Sequence, residues 1–222
     1  MTKANKNVWI LLMLGIIAIP VTLLLLGAAN RAASPPVRTV QDTERFVRAD
    51  SPFLGPADAK VTIVEFFDPE CESCRAFEPV VMGLLKKYDG QVRLVARYFP
   101  LHTNSLLAAA TIEAAAQEDE AKRWRMREYL FEKQPEWGEQ QTSQQNKFLL
   151  YASDLGLEEQ AVRTAMDSSA IRKLVERDRQ DGEALGVRGT PTFFVNGKLM
   201  SELSSAALEQ AIQSALNEGI TR

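Results

Sequence analysis

The chain has 222 residues, of which 45% are hydrophobic, 25% charged and 8% aromatic, a composition typical of a globular protein. Its formal net charge of −3 argues against nucleic acid as a main partner. Cys71 and Cys74 are the only two cysteines. A bridge between them closes too short a loop to stabilise a fold, so redox chemistry is the leading hypothesis for the pair.

The first 29 residues differ in composition from the rest of the chain. After Lys3 and Lys6, the 22 residues of Val8–Ala29 carry no charge, and a helix of that length spans a bilayer about 30 Å thick. We interpret residues 1–29 as an uncleaved transmembrane anchor with its lysine-bearing end in the cytoplasm. The alternative is a signal peptide cleaved near the small residues 27–29, and both interpretations export the remainder. A buried globular helix is disfavoured because no polar stripe interrupts the run.

Residues 30–50 contain prolines and mixed polar side chains, a composition that favours a linker. Beyond it, Lys60–Phe67 is rich in β-branched and aromatic residues and predicts a buried strand. A helix is expected over Glu72–Tyr88, kinked at Pro79. A second strand over Val92–Phe99 completes a βαβ unit, with the cysteines at the carboxyl end of its first strand.

From about residue 103 to 186 the apolar spacing is helical throughout. The expected helices are Leu106–Glu118, Glu120–Lys133, Ser143–Asp154, and Glu158–Leu185 in one or two pieces. The basic stretch Lys122–Arg127 is interpreted as a solvated helix face. Thr192–Met200 then predicts a hairpin with an Asn-Gly turn, and Ser204–Asn217 a closing helix with a serine cap.

The order of these elements, with Cys71-Glu-Ser-Cys74 after the first strand and Thr190-Pro191 before the hairpin, resembles the thioredoxin superfamily, in particular its exported DsbA-like branch. The resemblance covers residues 50 to 219 and implies an α/β thioredoxin fold over 51–219. In that fold the helical segment, about 103–186, is an insertion between the βαβ half and the C-terminal ββα half, and an N-terminal transmembrane helix precedes the domain. The resemblance also implies a cis peptide bond before Pro191 and no cofactor beyond the redox-active disulfide.

The chemistry of the pair follows from its place on the predicted helix. Cys71 lies at the helix N-terminus, where free backbone N–H groups and the dipole favour a thiolate, so we expect it to be the nucleophile. Cys74 lies one turn inside and is the expected resolving thiol. A cis-proline loop would expose the backbone of Thr190 to a substrate peptide, which makes Thr190 and Pro191 substrate-binding candidates. No metal is expected at the site.

Glu65 is a carboxylate on an otherwise apolar strand, and burying a carboxylate is costly unless it is used or paired. The resemblance places a buried acid at this position, and proton handling for Cys74 is the functional interpretation. The alternative is an acid paired with a lysine or solvated at the strand edge.

The residues flanking the pair are expected to tune its pKa. Asp68, Glu70 and Glu72 place like charge near the nucleophile and should raise its pKa, and Arg75 offsets them only partly. Ser73 lies where the strongly oxidising members carry a histidine. We therefore expect a weaker oxidant than the extreme of the family.

His102 is the only histidine of the chain. It offers a base for a cysteine protease or a third ligand for zinc with the two cysteines. Its setting after Phe99-Pro100-Leu101 resembles a turn common in DsbA-like sequences, and a structural role in that turn is the favoured interpretation.

The leading interpretation is an exported, membrane-tethered thiol:disulfide oxidoreductase that donates its disulfide to cysteines of exported proteins and is reoxidised by a membrane quinone-linked oxidase. We expect it in the bacterial cell envelope, facing the periplasm or exterior from the inner membrane, or soluble there after signal cleavage. One alternative is a reductase or isomerase fed by a membrane electron donor. A second is an anchored binding module whose disulfide is passive.

Overall fold

The computed structural model describes residues 40–218, with side chains from Thr43 onward. The predicted anchor over 1–29 lies outside the described residues. Within 40–218, no helix is both long and apolar enough to cross a membrane. In chain order, the elements are α1 (Val40–Phe46), β1 (Phe53–Leu54), β2 (Val61–Phe67), α2 (Glu72–Lys87), β3 (Val92–Tyr98), α3 (Ser105–Glu118), α4 (Glu120–Trp137), α5 (Gln145–Asp154), α6 (Glu159–Asp167), α7 (Ser169–Ala184), β4 (Thr192–Val195), β5 (Lys198–Leu199) and α8 (Ser205–Glu218).

The strands of the described residues form one five-stranded sheet in the order β1-β3-β2-β4-β5. The central pair β2 and β3 is parallel, and the other neighbours are antiparallel. Glu65 lies in the middle of the sheet, opposite Ala96 on β3 and Phe193 on β4. This is the predicted thioredoxin-like arrangement, a βαβ half followed by a C-terminal ββα half.

Alternate side chains of β2 enter two different apolar layers, as the period of two in a strand requires. Val61 and Ile63 pack with Leu208 and Ile212 of α8 and with residues of α2. Val64, Phe66 and their neighbours on β3 and β4 pack with Phe46 and Val187 on the opposite face. The sheet is therefore covered on both sides, which explains why β2 is almost wholly apolar in sequence.

The helical insertion is confirmed over α3–α7, with the ends of the helices shifted by a few residues. The final segment divides into two helices at Ser168, whose Oγ accepts a hydrogen bond from the N–H of Ile171 at 3.4 Å. The insertion has an apolar cluster of its own, which includes Trp137 and Phe148 and extends to Phe67 and both cysteines. One edge of the insertion therefore forms part of the cysteine site.

The segment expected to be a linker, 30–50, contains folded structure from Val40 onward. Phe46 is buried, and its ring lies 4.9 Å from that of Phe194. Arg97 Nη1 donates to the carbonyl oxygens of Arg45 and Phe46, and Arg48 Nε donates to Asp181 at 2.5 Å. The domain thus begins earlier than residue 51, because an arginine buried in the sheet satisfies the backbone carbonyls of this segment.

Candidate active site

Cys71 is the N-cap of α2, as the spacing predicts, with φ −75° and ψ 122°. Its N–H donates to Asp68 O at 3.1 Å, closing a turn, and its carbonyl oxygen accepts from Arg75 N at 3.1 Å. Cys71 is 9% exposed, whereas Cys74 is fully buried at 0%. Both cysteines are free thiols in the structure. Only the first thiol therefore reaches the surface.

The Cys71 Sγ lies against the loop that precedes β4. It donates to Thr190 O at 3.3 Å, and the peptide bond between Thr190 and Pro191 is cis, as the resemblance implies. Hydrogen bonding from the Cys74 thiol does most to lower the pKa of Cys71, and the Thr190 side chain and the N–H groups of Cys74 and Ser73 add to it. These donors outweigh burial and bring the pKa to about 5.

The second thiol, Cys74, has the opposite properties. Burial raises its pKa most strongly, and its hydrogen bond to Cys71 and the negative charge of Glu65 raise it further. A single hydrogen bond between the thiols therefore has opposite effects, because it stabilises the thiolate of Cys71 and holds the proton on Cys74.

Glu65 belongs to a buried ion cluster that also contains Arg127 and Glu78. Arg127 Nη2 lies 2.6 Å from Glu65 Oε2 and 2.6 Å from Glu78 Oε2, and none of the three side chains is more than 9% exposed. Burial raises the pKa of Glu65 to about 7; Glu78 contributes and Arg127 opposes the shift. The alternative of a lysine partner or a solvated edge is wrong, since the partner is an arginine in the interior.

The carboxylates that precede the first cysteine are engaged elsewhere. Asp68 Oδ1 accepts from Glu70 N at 2.8 Å, and Asp68 Oδ2 accepts from Leu101 N at 2.7 Å. Glu70 Oε2 accepts from Asn104 N at 2.6 Å. Backbone donors hold both acids, and the pKa of Cys71 is lowered by other groups, so the effect of these acids on that pKa stays a prediction.

The remaining tuning candidates lie in the first turn of α2. Glu72 and Ser73 have exposed side chains, and Ser73 acts on Cys71 through its backbone N–H. Arg75 Nε donates to Gln134 Oε1 at 3.0 Å. The charge of Arg75 is therefore held by a residue of α4 that the sequence did not suggest.

His102 has the structural contacts expected of a turn residue. Its N–H donates to Ser105 Oγ at 3.1 Å, and its Nδ1 lies 2.7 Å from Asp68 Oδ2. Burial lowers the pKa of His102, but Asp68 and the nearby Cys71 and Glu70 outweigh burial, so the pKa is raised. Among residues 40–218, no group of three or more His, Cys, Asp and Glu side chains is arranged to hold a metal.

Three residues that contact the site were missed by sequence reasoning: Glu78, Arg127 and Gln134. Arg127 was assigned to a solvated helix face, yet it is only 2% exposed. Arg127 and Gln134 lie two turns apart on α4, with the buried Phe131 between them, so they share the face that packs on the site. That seven-residue spacing is the signal in the sequence that indicates a common face.

A surface groove of about 290 Å³ lies beside the cis-proline loop. Its lining includes Arg188, Pro191, Leu199 and Leu203. Leu199 is 55% exposed and Leu203 is 46% exposed, so apolar surface is accessible beside the cis-proline loop.

Residues 48–214 match the family model described as Thioredoxin. Disulfide bond formation protein D of Bacillus subtilis is 29% identical over 157 residues, covering 69% of this chain and 71% of that protein. The Na(+)/H(+) antiporter NhaA of Herminiimonas arsenicoxydans is 31% identical over 165 residues, covering 74% of this chain and 25% of the antiporter. This chain thus spans about a quarter of the length of such antiporter relatives.

The fold agrees with that of a solved structure. The crystal structure of BdbD from Bacillus subtilis, in its oxidised form, matches with a TM-score of 0.68 and 28% sequence identity, covering 75% of this chain and 93% of that chain. The chain therefore belongs to the thioredoxin family.

Proposed function

We propose that this protein donates the Cys71–Cys74 disulfide to thiols of exported proteins. The observation that carries the proposal is the position of Cys71 at the N-cap of α2 with its Sγ 3.3 Å from Thr190 O, where its pKa is lowered to about 5 while that of Cys74 is raised. A thiolate stabilised in the reduced protein stabilises the reduced form, and a couple with a stabilised reduced form is oxidising. We expect the pKa of Cys71 to stay above about 4, so the protein is a weaker oxidant than the strongest of its kind.

The exchange proceeds in two displacements. A substrate thiolate attacks the Cys71 sulfur, the bond between the two cysteines breaks, and Cys74 leaves with the electron pair. A second substrate thiolate then attacks the substrate sulfur of the mixed disulfide, and Cys71 leaves as a thiolate. Two substrate thiolates become a disulfide, and the cysteine pair takes up the two electrons.

Glu65 supplies the proton that the first displacement requires. The thiolate of Cys74 is released in the interior, where burial disfavours its charge. With a pKa of about 7, Glu65 carries a proton in a substantial fraction of molecules near neutral pH and gives it to Cys74. In reoxidation the same carboxylate takes the proton back.

Thr190 and Pro191 bind the substrate segment next to the reacting cysteine. The contact between Cys71 Sγ and Thr190 O supports this role, because a peptide that reaches the sulfur must pass along this loop. The groove beside Pro191, with exposed Leu199 and Leu203, suits apolar side chains of an unfolded polypeptide.

The proposed partners follow from the expected location of the domain in the cell envelope. The substrates are exported proteins with reduced cysteines, and a membrane quinone-linked oxidase reoxidises the pair. The N-terminal apolar run holds the domain at the outer face of the inner membrane. The name of the Bacillus relative, disulfide bond formation protein D, supports the direction of the reaction.

The redox state of the pair in living cells tests the direction. Thiol trapping of the full-length protein, with Cys71→Ser/Cys74→Ser as the unreactive reference, should find the pair mostly oxidised. A mostly reduced pair would instead support the alternative of a reductase or isomerase. A passive disulfide predicts no exchange with reduced glutathione, whereas we expect equilibration with it.

A further inference from the structure

We propose that Gln134 is a positioning residue for exchange at Cys71, acting from the inserted helix α4 on the turn that presents the nucleophile. The proposal rests on the exchange chemistry proposed above and is independent of its direction. Gln134 touches neither sulfur. It acts through the carbonyl groups of Pro69, two residues before Cys71, and of Cys71 itself.

The amide of Gln134 makes three hydrogen bonds. Nε2 donates to Pro69 O at 2.9 Å and to Cys71 O at 3.0 Å, and Oε1 accepts from Arg75 Nε at 3.0 Å. Two carbonyl oxygens require donors and a guanidinium requires an acceptor, so these partners allow one orientation of the amide. The side chain is 2% exposed, so water does not compete for these bonds.

The three hydrogen bonds of Gln134, called the clamp below, compensate for a helix N-terminus that lacks a side-chain cap. Cys71 makes no side-chain capping bond to α2, although it occupies the N-cap. The N–H groups of Ser73 and Cys74 stabilise the thiolate only if the first turn keeps its orientation relative to the sulfur. By holding Pro69 O and Cys71 O, Gln134 fixes the Pro69–Glu70 and Cys71–Glu72 peptide units of the turn that carries the sulfur.

Gln134 also holds the guanidinium of Arg75, a residue on the same helix face as Cys71. Arg75 follows Cys71 by four residues, and its Nε is held by the amide of Gln134. Both sets of contacts should lower the pKa of Cys71. The carbonyl oxygens of Pro69 and Cys71 have a donor in Gln134, and the positive charge of Arg75 is kept on the helix face of Cys71.

Gln134→Met tests the proposal, because methionine has a similar length and none of the three hydrogen bonds. We expect the pKa of Cys71 in the reduced protein, followed by thiolate absorbance, to rise by about one unit. We also expect the equilibrium constant with glutathione to shift up to about tenfold toward the oxidised protein. A purely structural role would lower the melting temperature and leave the pKa and the equilibrium unchanged, which would overturn the proposal.

Two further variants isolate the effect. Gln140→Met removes an exposed glutamine amide that donates to Gly138 O, and it should leave the pKa of Cys71 unchanged. Arg75→Met should raise that pKa less than Gln134→Met does, since the two carbonyl bonds remain. Equal shifts for these two variants would assign the effect to the charge of Arg75 and overturn the role of the clamp.

A variant that keeps the contact with Arg75 covers the case in which Gln134→Met does not fold. Gln134→Glu retains an acceptor for Arg75 and removes both donors to the carbonyls, so the pKa of Cys71 should rise. An unchanged pKa in this variant would contradict the proposal. If the wild-type protein does not equilibrate with glutathione, the proposed function fails, and the pKa of Cys71 in these variants still decides the role of Gln134.

Discussion

The two cysteines have opposite surroundings, although only two residues separate them in sequence. Cys71 lies at the helix start and is 9% exposed, and the Cys74 thiol, the Thr190 side chain and the N–H groups of Cys74 and Ser73 lower its pKa. Cys74 is fully buried near a carboxylate of a buried ion cluster. The two pKa values are therefore set by the position of each thiol relative to the helix terminus and the protein interior. The carboxylates of Asp68 and Glu70, although adjacent in sequence, accept hydrogen bonds from backbone N–H groups.

The largest expected effect is the difference in reactivity between the two thiols. At pH 7, iodoacetamide should modify Cys71 of the reduced protein and spare Cys74, because the thiolate is the reactive form and Cys71 has a pKa of about 5. Mass spectrometry of peptides before and after unfolding in urea measures this difference. Equal labelling of the two thiols in the native protein would contradict it.

Single-cysteine variants test whether the two thiols also differ in thiol-disulfide exchange. Cys74→Ala should still form a mixed disulfide with a substrate thiol reagent, whereas Cys71→Ala should form none, since its remaining sulfur is buried. Gel-shift detection of the mixed disulfide measures the outcome. Full activity without Cys71 would end the assignment of the nucleophile.

The next largest effect concerns the cation near the second thiol. Arg127→Met leaves Glu65 and Glu78 buried without a counter-charge, and breaking a buried pair in this way costs about 3–5 kcal/mol of unfolding free energy. Urea denaturation measures the loss. Arg125→Met on the same helix is the matched control, because the pair of Arg125 with Glu128 is exposed and contributes about 0–1 kcal/mol. A similar loss for both variants would refute the importance of burial.

The raised pKa of Glu65, the carboxylate near Cys74, predicts that the stability of the protein depends on pH. Its pKa rises from 4.5 to about 7 on folding, so the folded state retains a proton that the unfolded state has released. The contribution of Glu65 to stability is therefore largest below pH 4.5 and is lost as pH rises through about 7, by up to about 3 kcal/mol. Glu65→Gln should lack this decline.

Urea titrations of the oxidised protein between pH 4.5 and 8 measure the decline without interference from thiol ionisation. Glu132→Gln, an exposed substitution, should retain the wild-type slope. A Glu65→Gln variant with an unchanged slope would assign the pH dependence to another group.

Sequence reasoning identified the parts of the site that depend on local pattern. The strand β2, the helix start at Cys71 and the buried Glu65 follow from apolar runs and spacing, and the cis bond at Pro191 followed from the resemblance. These features require no knowledge of which distant segments meet.

The features that were missed depend on contacts across the chain. Gln134 lies 63 residues from Cys71, and Arg127 lies 62 residues from Glu65. The carboxylates of Asp68 and Glu70 are oriented by the N–H groups of Leu101 and Asn104, which lie 33 and 34 residues away in the loop after β3. Adjacency in sequence places an acid near a thiol but does not determine which donor its carboxylate accepts from.

The smallest expected effect isolates one hydroxyl beside the first thiol. Thr190 Oγ1 is buried without a hydrogen-bond partner, while Thr190 O accepts from the Cys71 thiol. When Cys71 ionises, the carbonyl loses its donor and the hydroxyl gains an anion to which it donates. Thr190→Val removes that donor at nearly constant volume, so the pKa of Cys71 should rise by about one unit.

Thr190→Ser keeps the hydroxyl and is the matched variant for this effect. Its thiolate absorbance titration should give a pKa close to that of the wild type, whereas Thr190→Val should differ. If serine raises the pKa as much as valine does, packing by the threonine methyl group, and not its hydroxyl, sets this part of the pKa. The low pKa of Cys71 would then rest on the Cys74 thiol and the helix N–H groups alone, and the loop before Pro191 would contribute only shape.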